Sequence, residues 1–389
     1  MSVTEPRGFI AAGVTAGLKS SGTSDLALVV NTGPQFTAAG VFTSNRVKAA
    51  PVLWSEQVLA DATLRAVILN SGGANACTGP DGFADTHRTA ELVAASLGRA
   101  QGTPIGAVDV AVCSTGLIGV RLPMDKIGAG INGVVGALST SGGADAATAI
   151  LTTDSVAKQS FISGDGWSIG GMAKGAGMLA PGLATMLVVI TTDASVAQGE
   201  MRSHLRQASR TSFDRLDSDG CMSTNDTVII MSSGASRVTP VPDDFQAVLS
   251  VLCQDLARQL LADAEGAAHD IAITVEGAAT EADALEVGRS VARSNLFKCA
   301  IFGGDPNWGR VLAAIGTTDA VFEPDALDVA FNGVQVCRAG SIGDSRHSVD
   351  LSAREVAITV DLNAGTESAT IWTNDLTYDY VQENAEYST

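Results

Sequence analysis

Ten residues rich in glycine and alanine, Gly175-Ala-Gly-Met-Leu-Ala-Pro-Gly-Leu-Ala184, run up to Thr185, and the apolar segment Met186-Leu-Val-Val-Ile-Thr-Thr192 starts immediately after it. An apolar run of this length bounded by a turn reads as a buried strand, so any fold must deliver this threonine from a glycine-rich turn to the beginning of a strand. The Ala184–Thr185 junction has the character of a self-cleavage site. A threonine hydroxyl is a poor nucleophile until a base takes its proton, and one recurrent base is the free α-amine of the same residue at a chain terminus. Thr185 acquires that amine only if the chain breaks after Ala184. Pro181 and Gly182 can hold a strained turn, and Ala184 is small enough to let the hydroxyl reach its carbonyl. The competing reading is a Pro-Gly turn into a buried strand whose first threonine merely caps it.

Magnitudes favour the amine as base. With a pKa of about 7.7 to 8.0 it is roughly 10 to 20% neutral at pH 7, against about 0.04% for an unperturbed lysine. Unless burial depresses its pKa strongly, Lys174 is therefore an electrostatic or substrate-holding group rather than a proton acceptor.

The chain has 389 residues, 46% of them hydrophobic, enough for a substantial core and two domains. Its net charge of −18 is spread along the sequence, which argues against nucleic acid or an anionic membrane and for a small polar substrate. Six separated cysteines without a C-x-x-C pair read as buried free thiols of an intracellular protein. The N-terminal apolar run, residues 8–18, follows Glu5 and Arg7 and contains three glycines, with no signal-peptide cleavage site after it. No segment approaches a membrane span, and a cytoplasmic location is expected.

Periodicity predicts a mixed α/β fold. Strands are expected at Leu26–Asn31, Ala66–Asn70, Ala107–Cys113, Met186–Thr192 and Val228–Ser232, and helices at Asp85–Arg99, Gly199–Leu216 and Asp243–Glu265. Alternating segments at Ile271–Val275, Leu327–Phe331, Val356–Asp361 and Ala369–Thr373, with a helix at Glu281–Ser294, suggest a separate C-terminal subdomain.

Nucleotide motifs fail on context. Gly175-Ala-Gly-Met-Leu-Ala180 spells G-x-G-x-x-A, but Pro181-Gly182 follows where a helix must start and no clear strand precedes it; Lys174 lacks the P-loop spacing. Asn70-Ser-Gly-Gly-Ala-Asn-Ala-Cys-Thr-Gly79 is either an anion-binding nest or a tight loop. His87, His204, His269 and His347 sit in polar or helix-edge contexts expected to be solvated. No spacing supports a metal site, and none is expected.

The run Met172-Ala-Lys-Gly-Ala-Gly-Met-Leu-Ala-Pro-Gly-Leu-Ala-Thr-Met-Leu187 resembles the processing motif of the ornithine acetyltransferases, or glutamate N-acetyltransferases, of arginine biosynthesis. The resemblance extends from Gly8 to the C-terminus through Asn70-Ser-Gly-Gly-Ala-Asn-Ala, Cys113-Ser-Thr-Gly-Leu-Ile-Gly, Thr152-Thr-Asp, Asp217-Ser-Asp-Gly-Cys-Met-Ser-Thr-Asn-Asp-Thr, Gly304-Asp-Pro-Asn-Trp-Gly-Arg and Tyr380-Val-Gln-Glu-Asn-Ala-Glu-Tyr. It implies autoproteolysis into an α chain, 1–184, and a β chain, 185–389. The β chain would comprise a catalytic part, 185–268, and a C-terminal α/β subdomain, 269–389, and two αβ units would form a heterotetramer. The implied fold is a layered α-β-β-α sandwich of the self-processing, DmpA- and ornithine-acetyltransferase-like type.

By the same resemblance Thr185 is the nucleophile, Thr115 and Gly116 form the oxyanion hole, and Thr152, Lys174, Thr185, Glu265, Asn384 and Thr389 contact substrate. Thr389 stands where the family pattern has serine. Glu265 is expected at a helix end, where its charge opposes the helix dipole. The implied reaction carries acetyl from N-acetylornithine to glutamate by a ping-pong route with no cofactor, leaving acetyl-CoA open as an additional donor. Two readings stay beside it: a self-cleaving amidohydrolase or aminopeptidase that uses water as acceptor, and an unprocessed binding protein.

Overall fold

The computed structural model describes residues 2–180 and 186–386. Ala184, Thr185 and Thr389 lie outside the described residues. Two sheets stack face to face. The first has the order Phe9–Val14, Leu26–Asn31, Ala66–Asn70, Val110–Ser114, and the second the order Thr37–Phe42, Thr227–Ser232, Leu187–Thr192, Ser168–Lys174, Lys158–Ser163. Alternation along one strand shows how the layers form. Leu187 and Val189 join Val29, Val67 and Leu69 in the core between the sheets, while Val188 and Ile190 join Leu205, Leu252 and Leu256 beneath the outer helices Gln198–Arg210 and Pro242–Ala262. Successive side chains of a strand point to opposite faces, so a strand apolar at every position needs cover on both. On the far side of the first sheet lie the helices Gly79–Gln101 and Met124–Gly136, through Val93, Leu97, Ile127 and Ile131. The result is the α-β-β-α sandwich expected from the sequence.

Small residues set the layer spacing. A Cβ on Gly13 would lie 2.0 Å from the Asp145 carbonyl oxygen, so the helix Gly143–Ala149 rests directly on the strand Phe9–Val14.

A third sheet, order Ser341–Ile342, Val334–Arg338, Asp328–Phe331, Glu355–Asp361, Asp270–Ala278, Glu367–Asn374, has its own apolar core. The helices Glu281–Ala292, Asn295–Phe302 and Trp308–Ile315 supply Val287, Phe297 and Val311 to that core.

Several sequence expectations need correction. The segment 107–113 divides into a 3₁₀ turn, Ala107–Asp109, and the strand Val110–Ser114. A strand, Ser168–Lys174, does precede Gly175. Its glycine pair hid it, and sheet neighbours on both sides make it a strand in spite of that composition. Residues 175–180 nevertheless open no helix, so the dinucleotide motif still lacks its context. Cys113, Cys253 and Cys337 are buried free thiols, whereas Cys77, Cys221 and Cys299 are exposed. His269 is not solvated: its ring lies 2.7 Å from Asp375 and 3.1 Å from the Leu351 carbonyl, joining the third sheet to its neighbouring loops. Among the described residues, no helix is long and apolar enough to cross a membrane.

Candidate active site

The strands Ala66–Asn70 and Val110–Ser114 run parallel with Asn70 opposite Ser114, so both deliver their following loops to one end of the first sheet. Crevices outside the carboxyl ends of parallel strands are common ligand sites. Here the two loops are locked together. Ser114 Oγ donates to Asn70 Oδ1 at 2.5 Å, Asn70 Nδ2 donates to the Gly73 carbonyl at 2.9 Å, and the Thr115 N–H donates to the Asn70 carbonyl at 2.9 Å. The N–H groups of Ser71, Gly73 and Ala74 are taken by the carbonyls of Asp25, Thr115 and Leu117. Residues 70–74 thus act as a tight supporting loop, with these three N–H groups committed to protein acceptors.

Its effect is to fix Thr115 and Gly116. Gly116 has φ +127°, and a Cβ there would meet the Gly73 nitrogen at 2.8 Å, so both backbone conformation and close approach require glycine. Among the described residues no acceptor takes the Gly116 N–H. From the second sheet, Lys174 Nζ donates to Thr115 Oγ1 at 3.4 Å. Asn225 Nδ2 bridges the sheets by donating to the carbonyls of Ala74 at 2.6 Å and Ser114 at 2.8 Å.

Thr115, Gly116, Thr152, Lys174, Glu265 and Asn384 all line one cleft, with Gly177, Met178, Ser223, Thr224 and Asn225. Six of the site positions named from the sequence thus converge across as many as 269 residues of separation. Lys174 is also paired in register with Leu187, so the chain that leaves the cleft at Lys174 returns beside it two residues after Thr185.

Glu265 corrects its expectation. The helix ends at Ala262, and Glu265 lies in the turn beyond, donating its N–H to the Ala176 carbonyl at 3.1 Å and accepting Asn384 Nδ2 at 3.1 Å. The helix-dipole argument therefore does not apply to it. A Cβ on Gly177 would come within 2.6 Å of Glu265 Oε1. Gly177→Ala is expected to push this carboxylate off Asn384 and raise the substrate KM by about tenfold, ~1.4 kcal/mol, while the melting temperature stays within a few degrees; steady-state kinetics and thermal melting check both.

The site is electrically crowded. Lys174 is buried, and burial, reinforced by the Lys158 charge, pushes its ammonium below the ordinary lysine range against the pull of Asp154, Asp226 and Glu265. The condition under which Lys174 could take a proton is thus partly met, and the margin of the α-amine narrows. Burial drives Asp154 upward, but Lys174, Lys158 and hydrogen bonds overcome it and hold the carboxyl at about 2. Asp226 is fully buried and pushed well above the carboxylate range; its Oδ1 accepts the Met186 N–H at 3.2 Å and its Oδ2 has no partner among the described residues. Met178 takes a positive φ of 53°, rare for a non-glycine residue, and the Ser218 N–H ties that turn to residues 217–227 by donating to the Leu179 carbonyl at 2.5 Å.

Sequence reading did not single out Asp154, Lys158, Asn225 or Asp226 individually, although Thr152-Thr-Asp and the Asp217–Thr227 motif contain three of them. Among the described residues no cluster of His, Cys, Asp and Glu could hold a metal ion.

Residues 10–389 match the ArgJ family. The chain belongs to this family. It is 64% identical over 388 residues to the arginine biosynthesis bifunctional protein ArgJ of Streptomyces coelicolor, covering all of both chains. To the ArgJ protein of Mycobacterium leprae it is 57% identical over 389 residues, covering 99% of this chain and 95% of the relative. Among solved structures, ornithine acetyltransferase from Mycobacterium tuberculosis complexed with ornithine matches at 62% identity and a TM-score of 0.46, covering 48% of this chain and 96% of that one. The ArgJ protein of Bacillus halodurans matches at 34% identity and a TM-score of 0.48, covering 51% and 97%. As an ArgJ protein the chain is an acyltransferase of arginine biosynthesis, and the hydrolase alternative is not favoured.

Proposed function

We propose that the chain moves acetyl from N2-acetylornithine to glutamate through an acetyl ester on Thr185. The precursor first cuts itself between Ala184 and Thr185, which frees the α-amine. That amine takes the hydroxyl proton as Oγ attacks the acetyl carbonyl, and the proton passes to ornithine as its C–N bond breaks. Glutamate's amine then attacks the ester, N-acetylglutamate leaves, and Thr185 regains its proton. The Thr115 hydroxyl and the Gly116 N–H face the carbonyl oxygen in both tetrahedral intermediates. Lys174, Glu265, Asn384, Thr152 and Thr389 hold the charged ends of the amino acids, and acetyl-CoA serves as an additional donor.

The observation that carries this reading is the convergence of Thr115, Gly116, Thr152, Lys174, Glu265 and Asn384 on one cleft beside the strand that Thr185 precedes. The topology also supports two chains that stay together. In the second sheet Thr37–Phe42, Ser168–Lys174 and Lys158–Ser163 precede the cut, whereas Leu187–Thr192 and Thr227–Ser232 follow it. Interleaved strands keep their ladder bonds when one amide between them in the chain is severed. The β chain divides at about residue 268 into its share of the sandwich and the third-sheet subdomain, and two αβ units associate in the cytoplasm.

Acceptor dependence tests the reaction. With N-acetylornithine as donor, steady ornithine release should require glutamate and match N-acetylglutamate formation one to one. Equal release in water alone would mean a hydrolase and overturn the transfer reading.

A further inference from the structure

Behind the cleft wall lies a buried chain of charges that the reaction above does not use. Asp154 Oδ1 accepts Lys158 Nζ at 2.6 Å and the Gly175 N–H at 2.6 Å. Its Oδ2 accepts the Thr152 N–H at 3.0 Å and the Thr152 hydroxyl at 3.4 Å, and lies 3.9 Å from Lys174 Nζ. Lys158 continues the chain to Asp263 Oδ2 at 2.5 Å and to the Val156 carbonyl at 3.3 Å. The side chains of Asp154 and Lys158 are wholly buried and that of Lys174 nearly so. Asp154 does not line the cleft, yet two cleft residues and the first residue of the glycine-rich turn all hang on it.

We propose that Asp154 is the positioning residue of the transfer site, fixing Thr152 and Lys174 in place and supplying the counter-charge that keeps the Lys174 ammonium beside Thr115. This rests on the acetyl-transfer reading and deepens it by naming what sets the charge of one substrate-site group. Among the described residues, every other charge facing Lys174 is unsuited to the task. Asp226 is buried and driven toward its neutral form, Glu265 is shared with Asn384, and Lys158 and half-buried Lys19 repel the ammonium. Among the described residues, Asp154 alone is both in contact and firmly ionised. A lysine already pushed down by burial, left beside Lys158 without this anion, gives up its proton at a lower pH than it does with the anion in place.

The test is Asp154→Asn, which keeps the shape and removes the charge. Wild-type protein assayed in parallel tells whether the transfer reading itself holds. Given that it does, the variant should lose kcat/KM by at least about tenfold at the alkaline end of the wild-type profile, with the loss shrinking as pH is lowered and Lys174 regains its proton. The double variant Asp154→Asn/Lys158→Met, which also removes the repelling cation, should recover much of the loss. A loss that is the same at every pH, with no recovery in the double variant, would reduce Asp154 to a structural role and overturn the proposal. Where Asp154→Asn does not fold, Lys158→Met alone decides: the alkaline limb of its kcat/KM profile should move to higher pH, and an unmoved limb counts against the proposal.

Discussion

Thr185→Ala protein is expected to remain a single 39.5 kDa chain and to transfer no acetyl group above background, whereas Thr185→Ser should still cut and retain activity. The first result follows from the proposed mechanism, in which the same oxygen serves twice, attacking the Ala184 carbonyl during maturation and the acetyl carbonyl during turnover. Alanine removes it from both steps, and no neighbouring group replaces a lost nucleophile. The second follows because serine keeps the oxygen and loses only a methyl group. Neither substitution touches the packed strand Leu187–Thr192, so the fold and the melting temperature of the uncut form are expected to persist. Intact-mass measurement and an acetyl-transfer assay on the two variants check both halves. An uncut Thr185→Ala protein with substantial activity would show that the nucleophile lies elsewhere.

Thr115→Val should lower kcat by about 10²- to 10³-fold with KM changed little, the usual cost of one oxyanion-hole donor. Valine fills the same space and leaves the backbone bonds between Thr115, Asn70 and Gly73 in place, so the change isolates the hydroxyl. The effect falls on kcat because negative charge on the acetyl oxygen exists only in the tetrahedral species, not in bound substrate. The variant also removes the acceptor that Lys174 Nζ faces at 3.4 Å, which adds to the loss in the same direction. Separate determination of kcat and KM on cut, folded protein is the measurement. A change confined to KM would make Thr115 a ground-state contact.

What the sequence revealed divides along physical lines. Leu26–Asn31 and Ala66–Asn70 were legible to the residue because each is apolar at nearly every position and bounded by polar or turn-forming residues. Ser168–Lys174 was hidden because Gly170 and Gly171 erase the strand signal; Gly170 abuts the backbone of Ser2, and Gly171 lies against Leu252 and Leu256. Thr115, Gly116, Thr152, Lys174, Glu265 and Asn384 were found through motif resemblance, and their shared cleft depends on contacts between distant segments that no local pattern encodes.

Asp154 shows the limit most plainly. It stands within a quoted motif, yet a carboxylate between two threonines and a serine reads as solvated unless its partners are known. Its partner Lys158 closes the chain to Asp263, 105 residues further on. The charge on Glu265 was legible, but the end of the helix before it was not, since Ala262-Asp-Ala-Glu carries no stop signal before Gly266.

The central claim is that one backbone amide is broken to make the catalyst. Intact mass and N-terminal sequencing of the purified, active wild-type protein test it directly. The account predicts two co-purifying fragments, one ending at Ala184 and one beginning at Thr185; full activity in an uncut chain, or a fragment beginning at any other residue, would contradict it.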